Sequence, residues 1–475
     1  MAQLHDLAAT EQAAAVRQRE VSPVELVDHY LDRIGALDAD LGAFITVTAE
    51  AARGQAKEAE RAVRAGAELP PLHGVPIAIK DLNLTAGVRT TMGSAAFADF
   101  VPPVDDYVVA KLRAAGTISL GKTNTPEMGL PCYTEPKVAP PARCAWDLGR
   151  YAGGSSGGAA AAVAGGLLPF AQGSDGGGSI RIPASINGLF GVKPSRGLVS
   201  PGPVRADVSG LSTDGPIART VRDAAALLDA MAGVMPGDLF TAPGLPAGER
   251  YVDHVDREPG RLRIGRYLAP VVADVEVHPE VRAAWEDASE LLASLGHEVV
   301  DAVPPVGPEH VPAFEVIWAV AACGYPIDPA LEGELLPLTR YLRARGGAVS
   351  GAEYLAARAQ LQLAAWAGLA AARSYDVLLS PTLSMPPRPL GWFHEEGEGE
   401  PDFERQKRYA AYTAVYNVTG QPAVSVPLYW TGGAEPGLPI GSMLVGRHGA
   451  EATLLSLSAQ LEAARPWRER HPTLW

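Results

Sequence analysis

Three stretches of the chain hold side chains suited to nucleophilic or acid–base chemistry. Lys80 ends the apolar run Gly74-Val75-Pro76-Ile77-Ala78-Ile79. Ser155 and Ser156 lie inside Gly153-Gly154-Ser155-Ser156-Gly157-Gly158, and Ser179 closes Gly173-Ser174-Asp175-Gly176-Gly177-Gly178-Ser179. Each is a weak signal alone, because a strand-end lysine is usually a solvated terminus and a glycine–serine run is usually a turn. The first glycine run offers no G-x-G-x-x-G register for a dinucleotide and no following lysine for a P-loop. Together the three stretches describe a serine nucleophile that works without histidine. An amide carbonyl is a poor electrophile, so its attack needs an activated hydroxyl and donors aimed at the developing oxyanion. Consecutive glycines let backbone N–H groups approach such an oxygen closely. A lysine can serve as the base only when uncharged near neutral pH, and Ile77, Ala78 and Ile79 supply apolar walls that disfavour the ammonium form.

The elements that must position these groups alternate between strand and helix. Gly74–Asp81 and Thr117–Lys122 predict buried strands, with a helix over about 107–115 between them. An Ala-rich helix is expected over 158–164, an amphipathic helix over 218–233, and a strand at 263–267 followed by a helix near 278–295. Residues 4–36 and 47–66 carry helical spacing, and 311–374 is read as mostly helical. A strand at 375–381 precedes a charged surface loop over 394–404. Strand signals at 423–428 and 440–445 and a helix over 450–462 close the chain. This alternation predicts an α/β protein with layered helices and sheet.

Composition narrows the function. The 475 residues include 40 Lys+Arg and 54 Asp+Glu, a formal charge of −14, and no basic run, so nucleic acid is not an expected partner. Apolar residues make up 47% of the chain, yet no stretch resembles a membrane span, and no leader sequence is read at the start. Cys132, Cys144 and Cys323 cannot all pair with one another, which fits reduced thiols and a cytoplasmic setting. The ten histidines are scattered without metal-ligand spacing, so neither metal nor cofactor is expected.

The order and content of the motifs resemble the amidase signature family, whose members hydrolyse or transfer amides through a Ser–Ser–Lys triad. The resemblance rests on Gly74–Asp81 (GVPIAIKD), Gly121–Glu127 (GKTNTPE), Gly153–Gly158 (GGSSGG), Gly173–Ser185 (GSDGGGSIRIPAS), Gly188–Pro194 (GLFGVKP), Asp214–Arg219 (DGPIAR) and Asn417–Pro427 (NVTGQPAVSVP). It implies a single large α/β/α domain over 1–475 with a central mixed β-sheet covered by helices. Within that domain it implies an N-terminal helical segment (1–66), a signature core (67–230) and a variable substrate-pocket segment (300–400).

Carried over by position, the resemblance implies Ser179 as nucleophile, Ser155 as bridging serine on a cis peptide, and Lys80 as base. It places the oxyanion hole at the N–H groups of Gly176, Gly177, Gly178 and Ser179, with Ser156, Asp175 and Arg181 orienting the centre. Met128, Gly129, Cys323 and Asn417 match positions that contact substrate, although Asn417 could equally hold a turn and Cys323 could be a buried thiol. Trp318, Tyr325 and Trp392 are candidates for an apolar acyl wall, although core packing explains them equally well. Gly176 departs from the family, whose members carry Thr, Ile, Val or Gln there, and this predicts a roomier or more flexible loop. The expected activity is hydrolysis of a carboxylic amide through an acyl-serine. The flavour is that of general amidases and 6-aminohexanoate cyclic dimer hydrolases, acting on a small-molecule substrate, and a homodimer is compatible with it. The alternatives are the A-type component of a transfer-RNA-dependent amidotransferase, or a carbamate or aryl-ester hydrolase on the same triad.

Overall fold

The computed structural model describes residues 3–432 and 437–475. Its strands, numbered in chain order, form three sheets. In the smallest, β4 (Arg143–Cys144) pairs with β5 (Asp147–Tyr151). In a second, β3 (Ile118–Thr123) pairs antiparallel with β1 (Phe44–Val47) and parallel with β2 (Pro76–Lys80). The large sheet contains β6 (Phe170–Asp175), β7 (Phe190–Lys193), β8 (Thr213–Ala218), β9 (Arg263–Arg266), β10 (Glu298–Asp301), β11 (Val377–Pro381), β12 (Ala423–Trp430) and β13 (Pro439–Gly446). Its spatial order is β10-β9-β11-β13-β12-β7-β8-β6. Strand β9 runs parallel to β10 and β11, and the remaining neighbours are antiparallel, so the sheet is mixed as expected.

Helices cover both faces of the large sheet. One face packs Val221–Met231, part of Pro279–Ser294 and Glu451–Ala464 into an aliphatic core with Val192, Val424 and Leu444. The other face packs Gly157–Ala164 and Arg181–Asn187 through Ala159–Ala164, Ala184 and Ile217. Strand β2 bridges the two cores by the period-two alternation of a strand. Ile77 and Ile79 point into the first core, and Ala78 points into the second, against the Ala-rich helix. Lys80 shares the parity of Ala78, so its side chain emerges on the side where Ser155 and Ser156 precede that helix.

The Ala-rich helix reaches this position because it has no bulk. All eight of its residues are buried. A Cβ on Gly158 would lie 2.3 Å from the Asn124 nitrogen and 2.4 Å from the Ala43 oxygen, closer than any side chain tolerates. The backbone of β3 and of the segment before β1 therefore meets the first turn of the helix directly.

Several elements differ from the sequence expectation. The segment 1–66 supplies β1 as well as helices, and β2 lies in the separate three-stranded sheet rather than in the large one. Residues 213–218 form strand β8, and the helix expected from 218 begins at Val221, where the Thr220 hydroxyl accepts from the Asp223 N–H. The charged stretch 394–404 is only partly a loop. Glu400–Tyr409 is helical because Phe403, Gln406 and Tyr409 are buried on one side. Among the described residues no helix is long and apolar enough to cross a membrane.

The close approach at Gly158 makes a direct prediction. Gly158→Ala should destabilise the protein by about 1–3 kcal/mol, the usual cost of overpacking a filled interior, in spite of alanine's better helix propensity. Chemical denaturation of the variant against the parent measures it, and an unchanged or raised stability would contradict the packing described.

Candidate active site

Lys80 is fully buried at the end of β2, and the Gln172 side-chain oxygen of β6 accepts its backbone N–H at 2.9 Å. Its Nζ lies 2.7 Å from Ser155 Oγ, 2.9 Å from Ser156 Oγ, 3.0 Å from Ser174 Oγ and 3.3 Å from the Ser174 carbonyl oxygen. Its contacts are therefore hydroxyl and carbonyl oxygens, with no carboxylate among them. Burial pulls its pKa down to about 7, against the opposing pull of the Asp214 and Asp175 charges. Ser156 is held on both sides. It accepts from the Ser174 N–H at 3.2 Å and donates to the Ser174 carbonyl at 3.2 Å. The Gly154–Ser155 peptide is cis, as the resemblance implied.

The second glycine-dense turn is joined to the first by the Ser156 N–H, which donates to the Ser179 carbonyl at 3.1 Å. The turn is shaped by Asp175, fully buried at the end of β6. Its Oδ1 accepts from the Gly178 N–H at 2.8 Å, and its Oδ2 accepts from the Ile180 N–H at 3.1 Å. Arg181 meets the same carboxylate in a two-pronged contact, Nη2 to Oδ1 at 2.8 Å and Nε to Oδ2 at 3.0 Å. Burial raises the proton affinity of Asp175, yet the charge and hydrogen bonds of Arg181 outweigh it and hold the carboxyl well below the usual range. Gly178 takes φ +131°, and a Cβ there would strike the Thr413 hydroxyl at 2.3 Å, so only glycine completes the turn.

The N–H groups of Gly176, Gly177 and Ser179 donate to nothing among the described residues, whereas that of Gly178 is committed to Asp175. The donor set expected for an oxyanion therefore contracts from four to three. The Ser179 side chain makes no hydrogen bond among the described residues. It lines a cavity walled by Leu130, Pro131, Ile182, Phe314, Trp318 and Phe403. At the rim Lys407 and Glu315 form an ion pair at 2.5 Å, so the cation lining this cavity already has its partner.

The expected substrate contacts divide. Gly129 passes beside the centre, where a Cβ would lie 3.4 Å from Ser155 Oγ. Met128 is buried in a cluster with Leu130, Leu338 and Phe403, and its backbone N–H donates to Met92. Asn417 is engaged by the Asp175 turn. Its Nδ2 donates to Asp175 Oδ1 and to the Asp175 carbonyl, both at 2.9 Å, and to the Leu211 carbonyl at 3.0 Å, while its Oδ1 accepts from Arg181 at 2.7 Å. Both ends of the amide are occupied, so the residue clamps the turn. Cys323 is neither buried nor in the cavity. It caps the helix Val311–Ala322 in an exposed position, with Sγ directed to the Arg343 carbonyl at 3.4 Å. Of the three aromatic candidates, Trp318 lines the cavity. Trp392 packs on Phe393 and Arg405, and Tyr325 packs near Phe97.

Three positioning residues escaped the sequence reading. Ser174 and Gln172 lie on β6, a strand the sequence reading did not find, so nothing marked them as facing Lys80. Thr413, whose hydroxyl donates to the Gly177 carbonyl at 2.6 Å and whose own carbonyl accepts from Arg181 at 2.9 Å, was equally unmarked, because 236 residues separate it from Gly177.

Comparison with known proteins fits this geometry. The amidase family model matches residues 25–455. A 6-aminohexanoate-cyclic-dimer hydrolase from Paenarthrobacter ureafaciens is 37% identical over 500 aligned residues, covering 98% of this chain and 96% of the relative. An acylamidase from Rhodococcus erythropolis is 35% identical over 480, covering 99% of this chain and 98% of the relative. A solved structure of 6-aminohexanoate cyclic dimer hydrolase complexed with substrate has a TM-score of 0.90 at 35% identity, covering 99% of this chain and 100% of that one. A match of this extent in both sequence and fold means that the chain belongs to the amidase (amidase signature) family and is an amide-hydrolysing enzyme.

Proposed function

We propose that Ser179 is the acyl-forming nucleophile, that Ser155 relays its proton, and that Lys80 is the base. The observation that carries this reading is the buried Lys80 amine, 2.7 Å from Ser155 Oγ and ringed by oxygens that leave one direction for its lone pair. An uncharged amine has two N–H bonds. Ser156 Oγ and the oxygens of Ser174 accept them, since the Ser156 proton is already given to the Ser174 carbonyl. The lone pair is then free for the Ser155 hydroxyl proton, and Ser155 Oγ can in turn accept from Ser179.

In this scheme Ser179 Oγ attacks the amide carbon as its proton passes through Ser155 to Lys80. The carbonyl oxygen gains its charge against the N–H groups of Gly176, Gly177 and Ser179, where one donor is typically worth about 3–4 kcal/mol of barrier. Collapse breaks the C–N bond, and the leaving nitrogen takes the proton back along the same path. Water then attacks the acyl-serine with the same base, which releases the acid. The substrate is a small-molecule amide, linear or cyclic, with an apolar acyl part. The cavity wall is apolar and its lysine is paired with Glu315, so no cation there is free for the carboxylate of an amino-acid substrate. That favours a standalone hydrolase over a component of an amidotransferase. The three unpaired cysteines support a cytoplasmic setting.

Three outcomes test the reading. Protonation of Lys80 removes the acceptor, so kcat/KM for an uncharged amide should fall about tenfold per pH unit below about 7 and level off above it. A profile flat across that range with chemistry rate-limiting would exclude Lys80 as base. Ser179→Ala should lose roughly 10⁶-fold in kcat and all labelling by a fluorophosphonate probe, with stability changed by less than about 1 kcal/mol. Labelling retained on another serine in that variant would move the nucleophile elsewhere. Asn417→Leu should lower kcat by up to about 10²-fold with little change in KM, because it loosens the turn rather than the substrate. A rise in KM at constant kcat would return Asn417 to the substrate site.

A further inference from the structure

Gly176 and Gly177 carry no side chains, yet the space beside them is occupied. A Cβ on Gly176 would lie 3.4 Å from Cζ3 and 3.5 Å from Cη2 of Trp318. A Cβ on Gly177 would lie 3.7 Å from Trp318 Cη2 and 3.8 Å from Phe314 Cζ. The edge of the indole therefore rests on two of the three residues whose N–H groups are unpaired among the described residues. Trp318 reaches them from the helix Val311–Ala322, and Phe314 stacks on it with ring centroids 5.6 Å apart and planes 18° apart. The roomier loop expected from Gly176 is thus filled by a ring from a distant segment.

Two features separate this ring from ordinary core packing. Its neighbours Ile317 and Ala319 are fully buried and carry the packing of the helix, whereas the indole is only half-buried and lines the cavity with Ser179. The clearances are also graded. A single carbon on Gly176 already makes van der Waals contact with the indole, so a larger side chain extended toward the ring would crowd it.

We propose that Trp318 is a specificity-determining residue that limits the width of the acyl group at the carbon next to the reacting carbonyl. The inference rests on the reading of Ser179 as nucleophile and of the Gly176–Gly177 turn as the seat of the carbonyl oxygen. With the oxygen there, the acyl α-carbon lies under the indole edge. An unbranched CH2 passes, and α-methyl groups meet the ring. The enzyme accordingly takes amides of straight, apolar acyl chains and discriminates against acyl groups branched at the α-carbon.

The test uses p-nitrophenyl acetate, hexanoate and pivalate, which acylate a serine whatever amine the natural substrate releases. Trp318→Ala should raise the pivalate-to-hexanoate ratio of kcat/KM at least about tenfold, the scale on which one or two methyl groups are discriminated. Gly176→Val should lower hexanoate turnover at least about tenfold, and adding Trp318→Ala to it should recover most of the loss. Trp318→Leu gives a second reading of the ratio should the alanine variant fold poorly. An unchanged ratio in both Trp318 variants, or a Gly176→Val defect that removal of the indole does not relieve, overturns the proposal alone. A parent enzyme that releases no p-nitrophenol from any of the three esters overturns the Ser179 reading and the proposal with it.

Discussion

The site is organised around a buried amine denied a counter-ion. Lys80 has no exposed surface and touches only hydroxyl and carbonyl oxygens, although three carboxylates lie in its neighbourhood. Each of these is claimed by another cation: Asp81 faces Lys122 at 3.7 Å, Asp175 is gripped by Arg181, and Asp214 is paired with Arg205. A carboxylate in direct contact would hold the ammonium form. The observed arrangement instead sets the charged form back by about 5 kcal/mol, from 10.5 to about 7. The buried ion pairs are therefore more than local ties, because they remove from Lys80 the partners that would restore its charge.

Holding an uncharged amine against two serine turns requires close backbone approach, and the fold obtains it by omitting side chains. The Ala-rich helix carries Ser155 and Ser156 at its start and comes within atomic contact of Asn124 and Ala43. The second turn is held from the other side by residues of the C-terminal third. Asn417 and Thr413 fasten Asp175, Arg181 and the Gly177 carbonyl, and the Gly441 N–H of β13 donates to Ser185 at 2.9 Å just beyond. The turn that holds Ser179 thus depends on a segment more than 230 residues away.

This division also explains what was legible in the sequence. Lys80 and the two glycine-dense turns could be found because their chemistry is written locally, as a hydrophobic run ending in a cation and as turns that only small residues allow. The strand β6 was hidden because its residues, FAQGSD, belong to a motif read for its chemistry, and β8 because Gly215 and Pro216 break the usual strand signal. Asn417 was left between a turn and a substrate contact because a side chain that satisfies a buried carboxylate across 242 residues leaves no periodicity behind. Cys323 looked buried in an apolar helix, yet it stands one residue past the end of that helix, where the chain turns outward.

Chemistry and selectivity are held by different forces here. Lys80 and the Asp175 turn are fixed by directional hydrogen bonds among buried residues, where a change of atom type leaves a partner unsatisfied at a cost of about 1–3 kcal/mol each. The cavity wall comes from the helices Val311–Ala322 and Glu400–Tyr409 and is fixed mainly by apolar contact, which accepts substitutions of similar volume at little cost. Exchange along the wall can therefore reshape the cavity while the contacts of Lys80 stay in register. Gly176 and Gly177 are where the two systems touch, since the peptides whose N–H groups are unpaired among the described residues also leave room for the indole.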